Sequence, residues 1–321
     1  MNLWLIGAGQ MAQDYVKVLK ALDVSFEVIG RGVDSASNFF NSTGQKVQTG
    51  GVYQALKDLH VPETAIVAVG VEELAKTATV LIKSGTDRIL LEKPGGLNFE
   101  QIQQLNDVAA THSAKVWLAY NRRFYASTLK SEEMITEDGG VSSVQFEFTE
   151  WSHSLCDMDK APGVKEHWFL GNSTHVVDLV FHLCGTPKDW SSWFDGSLDW
   201  HHSASRFAGA GITNKGTLFS YIADWEAPGR WGIEVLTRKH RLIFRPMEEL
   251  KLIPLGSVDM ELIKLDDTLD KQFKPGLFLQ TEAFLKRDTD RLCSLKQQIE
   301  HTLFYNEMAG YGFKNSAKNT D

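Results

Sequence analysis

Leu3-Trp4-Leu5-Ile6-Gly7-Ala8-Gly9-Gln10-Met11-Ala12 is the stretch whose reading decides the fold. Four apolar residues make a short strand, and the spacing Gly7-x-Gly9-x-x-Ala12 turns that strand into a helix. In such a turn the first glycine permits the tight bend and the second lets a pyrophosphate approach the backbone. A small third residue lets helix and strand pack closely. An anion bound there meets the free N–H groups and positive dipole end of the helix. Met11, Tyr15, Val18, Leu19 and Leu22 then fall on one stripe, as an amphipathic helix requires. Strand, glycine turn and helix in this order predict a dinucleotide site; the competing reading is an ordinary tight turn.

The same alternation continues for a third of the chain. A strand over 26–29 is closed by Gly30-Arg31-Gly32, and a weak strand near Val47 precedes a helix over 52–59. Strands over 64–69, 88–91 and 116–120 alternate with helices over 72–84 and 98–113. Near-continuous apolar strands in this rhythm imply a parallel sheet covered on both faces. After Asn121 the texture changes. A helix over 123–135 and an alternating, half-exposed antiparallel strand over 141–151 come first, and a helix over 172–184 follows. Strand candidates then fall at 191–193, 205–212, 216–225, 231–237, 241–244 and 251–253, and helices at 277–287 and 293–309 close the chain. The expected fold is α/β: a doubly wound, Rossmann-type domain over 1–121, then an α+β domain over 122–321 on a mostly antiparallel open sheet.

With 321 residues, 43% of them hydrophobic, the chain can bury a large core. Net charge is −8 and the basic residues are dispersed, which argues against nucleic acid or an anionic membrane as partner. Cys156, Cys184 and Cys293 are odd in number and far apart, so a reducing cytoplasm is expected. The apolar N-terminus lacks the basic region and cleavage site of a signal peptide. No apolar run approaches the roughly 20 residues of a membrane span. The polar residues 314–321 are expected to fray.

Three features carry chemistry. Glu92-Lys93-Pro94 follows an apolar strand, placing a cationic side chain at the carboxyl edge of the sheet, where ligands of open α/β sheets bind. Such a lysine can transfer a proton or polarise a substrate oxygen; the bland reading is a surface lysine in a loop. The proline fixes the turn, with a cis peptide as one way to do so. Cofactor choice is read at the tip of the second strand, where an acidic residue would accept the ribose hydroxyl of NAD. Here the tip holds Arg31, suited to a 2′-phosphate, and Glu27 lies within the strand, so NADP is expected over NAD. Finally, His175, Asp178 and His182 share one stripe of a largely apolar helix, opposite Val176, Val180 and Leu183. His175 suits a general base near neutral pH, and Asp178 is placed to orient either His175 or His182. Structural polar packing is the alternative, and a metal site completed by His153 or His167 lacks any familiar zinc spacing.

Gly7-Ala-Gly9-Gln-Met-Ala12, Glu92-Lys93-Pro94, Asn121-Arg122-Arg123-Phe124 and His175-Val-Val-Asp178 through Gly185 together resemble the glucose–fructose oxidoreductase / inositol dehydrogenase family. Order and spacing match over essentially the whole chain. The resemblance implies hydride transfer between a nicotinamide, NADP or NAD, and a hydroxyl- or carbonyl-bearing carbon of a sugar or nucleotide-linked sugar. It implies an open sheet serving as the interface of a homodimer or homotetramer. Lys93 would stand at the reacting centre and His175 would be the acid/base. Gly7, Gly9, Gln10, Met11, Arg31, Glu92, Lys93 and Asn121 would contact the cofactor. Arg123, Trp151, His167, Trp168, Asn172 and Asp178 are the substrate candidates. Trp151 and Trp168 would stack on a sugar face, unless they belong to the second domain's core or interface.

Two positions depart from the family pattern. Its aspartate four residues before the histidine is Gly171 here, with Asn172 the nearest polar substitute. Its Thr-Pro-Asn turn is Gly70-Val71-Glu72-Glu73-Leu74, so contacts on the nicotinamide side must differ. The glycine at 171 gives weight to a rival, a non-catalytic NADP(H)-binding regulatory protein of the same fold, against which count Lys93, His175 and the absence of a basic DNA-reading segment. A third reading keeps the enzyme and changes the substrate to a diketone or linear tetrapyrrole.

Overall fold

The structure, a computed structural model, describes residues 2–312. The described residues form two compact units, 2–129 with 265–299, and 130–264 with 300–312. The chain therefore passes between units at three points; the sequence puts a boundary near 121 and leaves room for C-terminal segments to return to the first domain. The reason is apolar: Phe273, Leu277, Phe284 and Leu292 join the same core as Leu3, Leu5 and Tyr15.

The first unit begins β1 (Leu3–Ile6), α1 (Gln10–Ala21), β2 (Glu27–Ile29), α2 (Val33–Thr43), β3 (Val47–Gln48) and α3 (Gly51–Asp58). It continues β4 (Thr64–Val67), α4 (Val71–Lys83), β5 (Arg88–Leu91), α5 (Phe99–Thr111) and β6 (Lys115–Leu118). Its seven-stranded sheet runs β6-β5-β4-β1-β2-β3, with Cys293–Ser294 added outside β6. All pairings are parallel except that last one. Alternate residues of β1 feed opposite faces. Trp4 and Ile6 pack with Leu74, Leu81 and Leu105, and Leu3 and Leu5 with Tyr15, Val16 and Leu19. Both faces are thus covered, as the apolar strands demand. Strand order reverses between β1 and β4, the crevice where such sheets bind ligands.

Helix α6 (Ala126–Glu137) follows a 3-10 turn at Asn121–Phe124, so the helix expected from 123 starts three residues late. The second unit then holds β7 (Ser143–Glu147), α7 (Ser152–Leu155), α8 (Thr174–Cys184), β8 (Pro187–Asp195) and β9 (Arg206–Thr213). It continues β10 (Leu218–Asp224), β11 (Gly232–Leu236), β12 (His240–Phe244), β13 (Lys251–Pro254) and β14 (Glu261–Leu262). The eight strands form one sheet, β14-β13-β12-β11-β7-β10-β9-β8. It is mostly antiparallel, but β7, expected to be antiparallel throughout, pairs parallel with β10. Helix α8 covers one face through contacts to β7 and β11, and Phe181 meets Phe146 edge-on at 6.2 Å. On the opposite face Trp193, Ala208 and Ile222 lie side by side in register, with Trp193 63% and Ile222 65% exposed. Among the described residues no helix is long and apolar enough to cross a membrane.

Candidate functional site

A cavity of about 570 Å³ opens at the carboxyl ends of β1, β2 and β4 in the first unit. Gly7, Gly9, Gln10, Met11 and Arg31 line it, as expected, together with Ser35, Glu73 and Lys76, which the sequence did not single out. The two glycines of the turn differ in kind. Gly7 has φ +127°, and a Cβ there would fall 2.2 Å from the carbonyl oxygen of Ala68. The fold itself therefore excludes a side chain at residue 7. Gly9 has φ −96° and ψ −174°, extended backbone open to any residue, and a Cβ there would meet no atom within 4 Å. Nothing in the protein requires glycine at position 9.

At the adenosine-ribose end expected of such a turn, the Arg31 guanidinium lies 3.6 Å from Glu73 and the Lys76 ammonium 3.9 Å from the same carboxylate. Arg31 is 75% exposed, so its pair with Glu73 holds it weakly. Glu27 sits exposed at the start of β2, away from the strand tip.

The residues on either side of Lys93 are fixed by hydrogen bonds. The Tyr15 hydroxyl donates to Glu92 at 2.9 Å, and Gln280 donates to that hydroxyl at 3.3 Å. Burial raises the Glu92 carboxyl above its ordinary range, opposed by the Lys93 charge and the Tyr15 bond. Burial and the Glu92 charge push Tyr15 up as well. On the other side the Lys93–Pro94 peptide is cis, and the Pro94 carbonyl accepts from Gln298 at 3.0 Å. Neither Glu92 nor Lys93 lines the cavity at the carboxyl ends of β1, β2 and β4.

Asn121 and Arg123 also lie apart from that cavity. The Asn121 amide donates to the Pro275 carbonyl at 2.9 Å. Arg123 is 2% exposed and donates to the Arg291 carbonyl at 3.2 Å, with Gln297 at 3.5 Å. These bonds tie the Asn121–Arg123 turn to the 275–297 stretch within the first unit.

The second unit is organised around a residue the sequence reading missed. Glu150 is 1% exposed. Its carboxylate accepts from Asn172 at 2.9 Å, Ser173 at 2.8 Å, Arg230 at 3.0 Å and the Trp231 indole at 3.3 Å. Burial raises its pKa, and the Arg230 charge opposes the rise. Asn172 and Ser173 belong to a π-turn, Phe169–Ser173, that replaces the expected first turn of α8. His175 follows at once, 8% exposed, with its ring 6.0 Å from that of Trp231. A Cβ at Gly171 would meet no atom within 4 Å.

The polar stripe of α8 disperses to separate partners. Asp178 is 1% exposed and lies 3.7 Å from His301, also fully buried, while His182 bonds Glu132 at 2.9 Å. Asp178 thus meets a buried histidine. Trp151 is 51% exposed and donates to the Gly229 carbonyl. Arg230 lies over its ring at 4.9 Å and over that of Trp231 at 4.4 Å. His167 bonds the Gly163 carbonyl at 2.9 Å beside Tyr311. Trp168 packs edge-on to Trp200 at 6.3 Å.

No family model matches the chain, and no curated protein matches it by sequence. Solved structures do match in fold. UDP-N-acetylglucosamine 3-dehydrogenase from Acidithiobacillus ferrooxidans aligns with TM-score 0.74 at 14% identity, covering 97% of each chain. Levoglucosan dehydrogenase, in complex with NADH and L-sorbose, aligns with TM-score 0.76 at 15% identity over 97% of this chain and 96% of its own. An NAD-binding oxidoreductase from Klebsiella pneumoniae aligns with TM-score 0.74 at 14% identity over 97% of this chain and 96% of its own. These likenesses establish the two-part fold over nearly its whole length.

Proposed function

We propose that the protein is an NADP(H)-preferring oxidoreductase of the glucose–fructose oxidoreductase / inositol dehydrogenase type, acting on a sugar or sugar derivative. The observation that carries the reading is Gly9. A residue with ordinary backbone and open space around its missing Cβ has no structural reason to be glycine, whereas a pyrophosphate lying on the backbone gives one. The cavity, the helix N-terminus at Gln10 and the fold neighbours, which include an NADH complex, agree with it.

When bound, the nicotinamide supplies the hydride acceptor or donor. Lys93, fixed by Glu92 and Pro94, holds and polarises the substrate oxygen as it becomes a carbonyl. His175 removes the hydroxyl proton in the oxidative direction and returns it in reduction. Glu150 takes over part of the task of the family aspartate absent at Gly171, holding the turn that leads into His175. Arg31 reads the 2′-phosphate, released from Glu73. The exposed Trp193–Ala208–Ile222 row of the second sheet supports the homo-oligomer, as a flat apolar face of a sheet is costly to leave wet.

Nicotinamide fluorescence on titration with NADPH and NADH tests the cofactor site. NADPH is expected to bind more tightly, and Arg31→Ala to weaken it by about 10- to 100-fold, the worth of a charge-assisted contact, with NADH little changed. Binding of neither nucleotide would end the oxidoreductase reading. A sensor of the same fold would bind NADPH and turn over none of a panel of sugars, and Lys93→Ala would leave its nucleotide affinity intact.

A further inference from the structure

Arg230 has more order than its exposure requires. Its Nη1 is spent on the buried Glu150, and its guanidinium lies over the Trp151 ring at 4.9 Å and over the Trp231 ring at 4.4 Å. Among the described residues no protein acceptor takes Nε or Nη2, the edge that grips an oxyanion with two parallel bonds. The side chain is 41% exposed, so this edge is reachable. A surface arginine usually spends conformational entropy to bind an anion. Here the ion pair and the two indoles have already fixed it, which is what makes an arginine an effective binding group. The Trp231 ring that steadies it is the ring beside His175.

We propose that Arg230 forms the oxyanion subsite of the second unit, and that the substrate is an acidic sugar whose carboxylate or phosphate lies against the Nε–Nη2 edge. Trp151, half exposed on the same guanidinium, offers its face to the sugar ring. Glu150 limits the affinity, since it already neutralises one charge. The subsite therefore selects by geometry more than by bulk charge, and a lysine cannot replace the arginine. The substrate assignment rests on the oxidoreductase reading; the subsite itself does not.

Binding without cofactor tests the subsite directly. Tryptophan fluorescence and calorimetry would follow D-glucuronate, D-galacturonate and glucose 6-phosphate against D-glucose and D-galactose. At least one acid should bind about 10- to 100-fold more tightly than its neutral parent, and Arg230→Lys and Arg230→Ala should each abolish that difference. Preference for the uronates marks the group as a carboxylate, and preference for glucose 6-phosphate as a phosphate. The lysine variant keeps a counter-charge for Glu150, so it reads out recognition even if the alanine variant folds poorly. Acids that bind no better than neutral sugars, or a preference that survives Arg230→Lys, overturn the proposal. Acid binding with no turnover leaves the subsite standing and defeats the oxidoreductase reading; turnover of neutral sugars without acid preference does the reverse.

Discussion

Substituting the two glycines of the first turn separates a fold requirement from a ligand requirement. In Gly7→Ala the new Cβ would lie 2.2 Å from the Ala68 carbonyl oxygen and 2.9 Å from its carbon, both backbone atoms at the end of β4. A side chain at φ +127° costs about 1–3 kcal/mol, and the overpacking about 1–3 kcal/mol more. A loss of about 2–6 kcal/mol is a large share of a domain's usual 5–15 kcal/mol. In Gly9→Ala the backbone is already extended and the methyl meets no protein atom. Stability should hold or rise by up to about 1 kcal/mol, because alanine restricts the unfolded chain. The same methyl would stand where a pyrophosphate must approach, weakening NADPH by about 10- to 100-fold on the scale of overpacking. Urea denaturation and nicotinamide fluorescence on the same preparations give both numbers. Gly9→Ala binding NADPH within about twofold of the parent would refute the reasoning and reduce the loop to a tight turn.

Three further outcomes follow from buried polar groups. Tyr15→Phe removes the hydroxyl donor to Glu92 and should cost about 1–3 kcal/mol in urea denaturation; an unchanged midpoint would show that Glu92 finds another partner. Glu150→Ala leaves Asn172, Ser173 and Trp231 without their acceptor and Arg230 without its ion pair. A loss of about 2–4 kcal/mol is expected, reduced from the figure for a wholly buried pair because Arg230 is partly wet, and a change under about 0.5 kcal/mol would exclude Glu150 as an organising group. His201 is fully buried, bonded to the Ala204 carbonyl at 2.7 Å and to the Tyr311 hydroxyl at 2.8 Å, and burial lowers its pKa from 6.5 to about 4. The folded state thus binds this proton less tightly than the unfolded one. Stability is complete above pH 6.5 and falls as pH drops toward 4, by about 2–3 kcal/mol between pH 7 and 4.5. His201→Gln should flatten that part of the profile, and an equally steep fall in the variant would assign it to other groups.

The first unit was legible because its parallel strands are apolar runs and its helices carry single stripes. Leu3–Ile6, Thr64–Val67 and Arg88–Leu91 read correctly to within two residues. Helix α2 escaped notice because Val33–Thr43 is rich in Ser, Asn and Thr, poor helix formers that it buries on little more than Phe39. The π-turn before α8 was hidden for the opposite reason: the apolar period runs smoothly into it, and what shapes it is a carboxylate 22 residues away. Asn121 and Arg123 show the same limit. Their partners Pro275 and Arg291 lie 154 and 168 residues distant, so motif position could not show that these side chains bond distant backbone carbonyls.

Glu150 makes the general case. A glutamate beside an exposed tryptophan at the end of an alternating strand has the local pattern of a surface residue, and no spacing rule marks it. What makes it central is convergence: Asn172, Ser173, Arg230 and Trp231 come from segments 22 to 81 residues away and all offer donors, none an acceptor. A donor-only shell is stable only around an anion, and a buried anion is stable only within such a shell. The departure visible in the sequence was the glycine at 171, read as the loss of a carboxylate. The carboxylate arriving from residue 150 supplies a negative charge to the adjoining turn from another part of the chain. A negative charge that anchors a turn can be supplied from any strand whose end reaches it, so the absence of one motif residue says less about lost chemistry than the donors left around the turn.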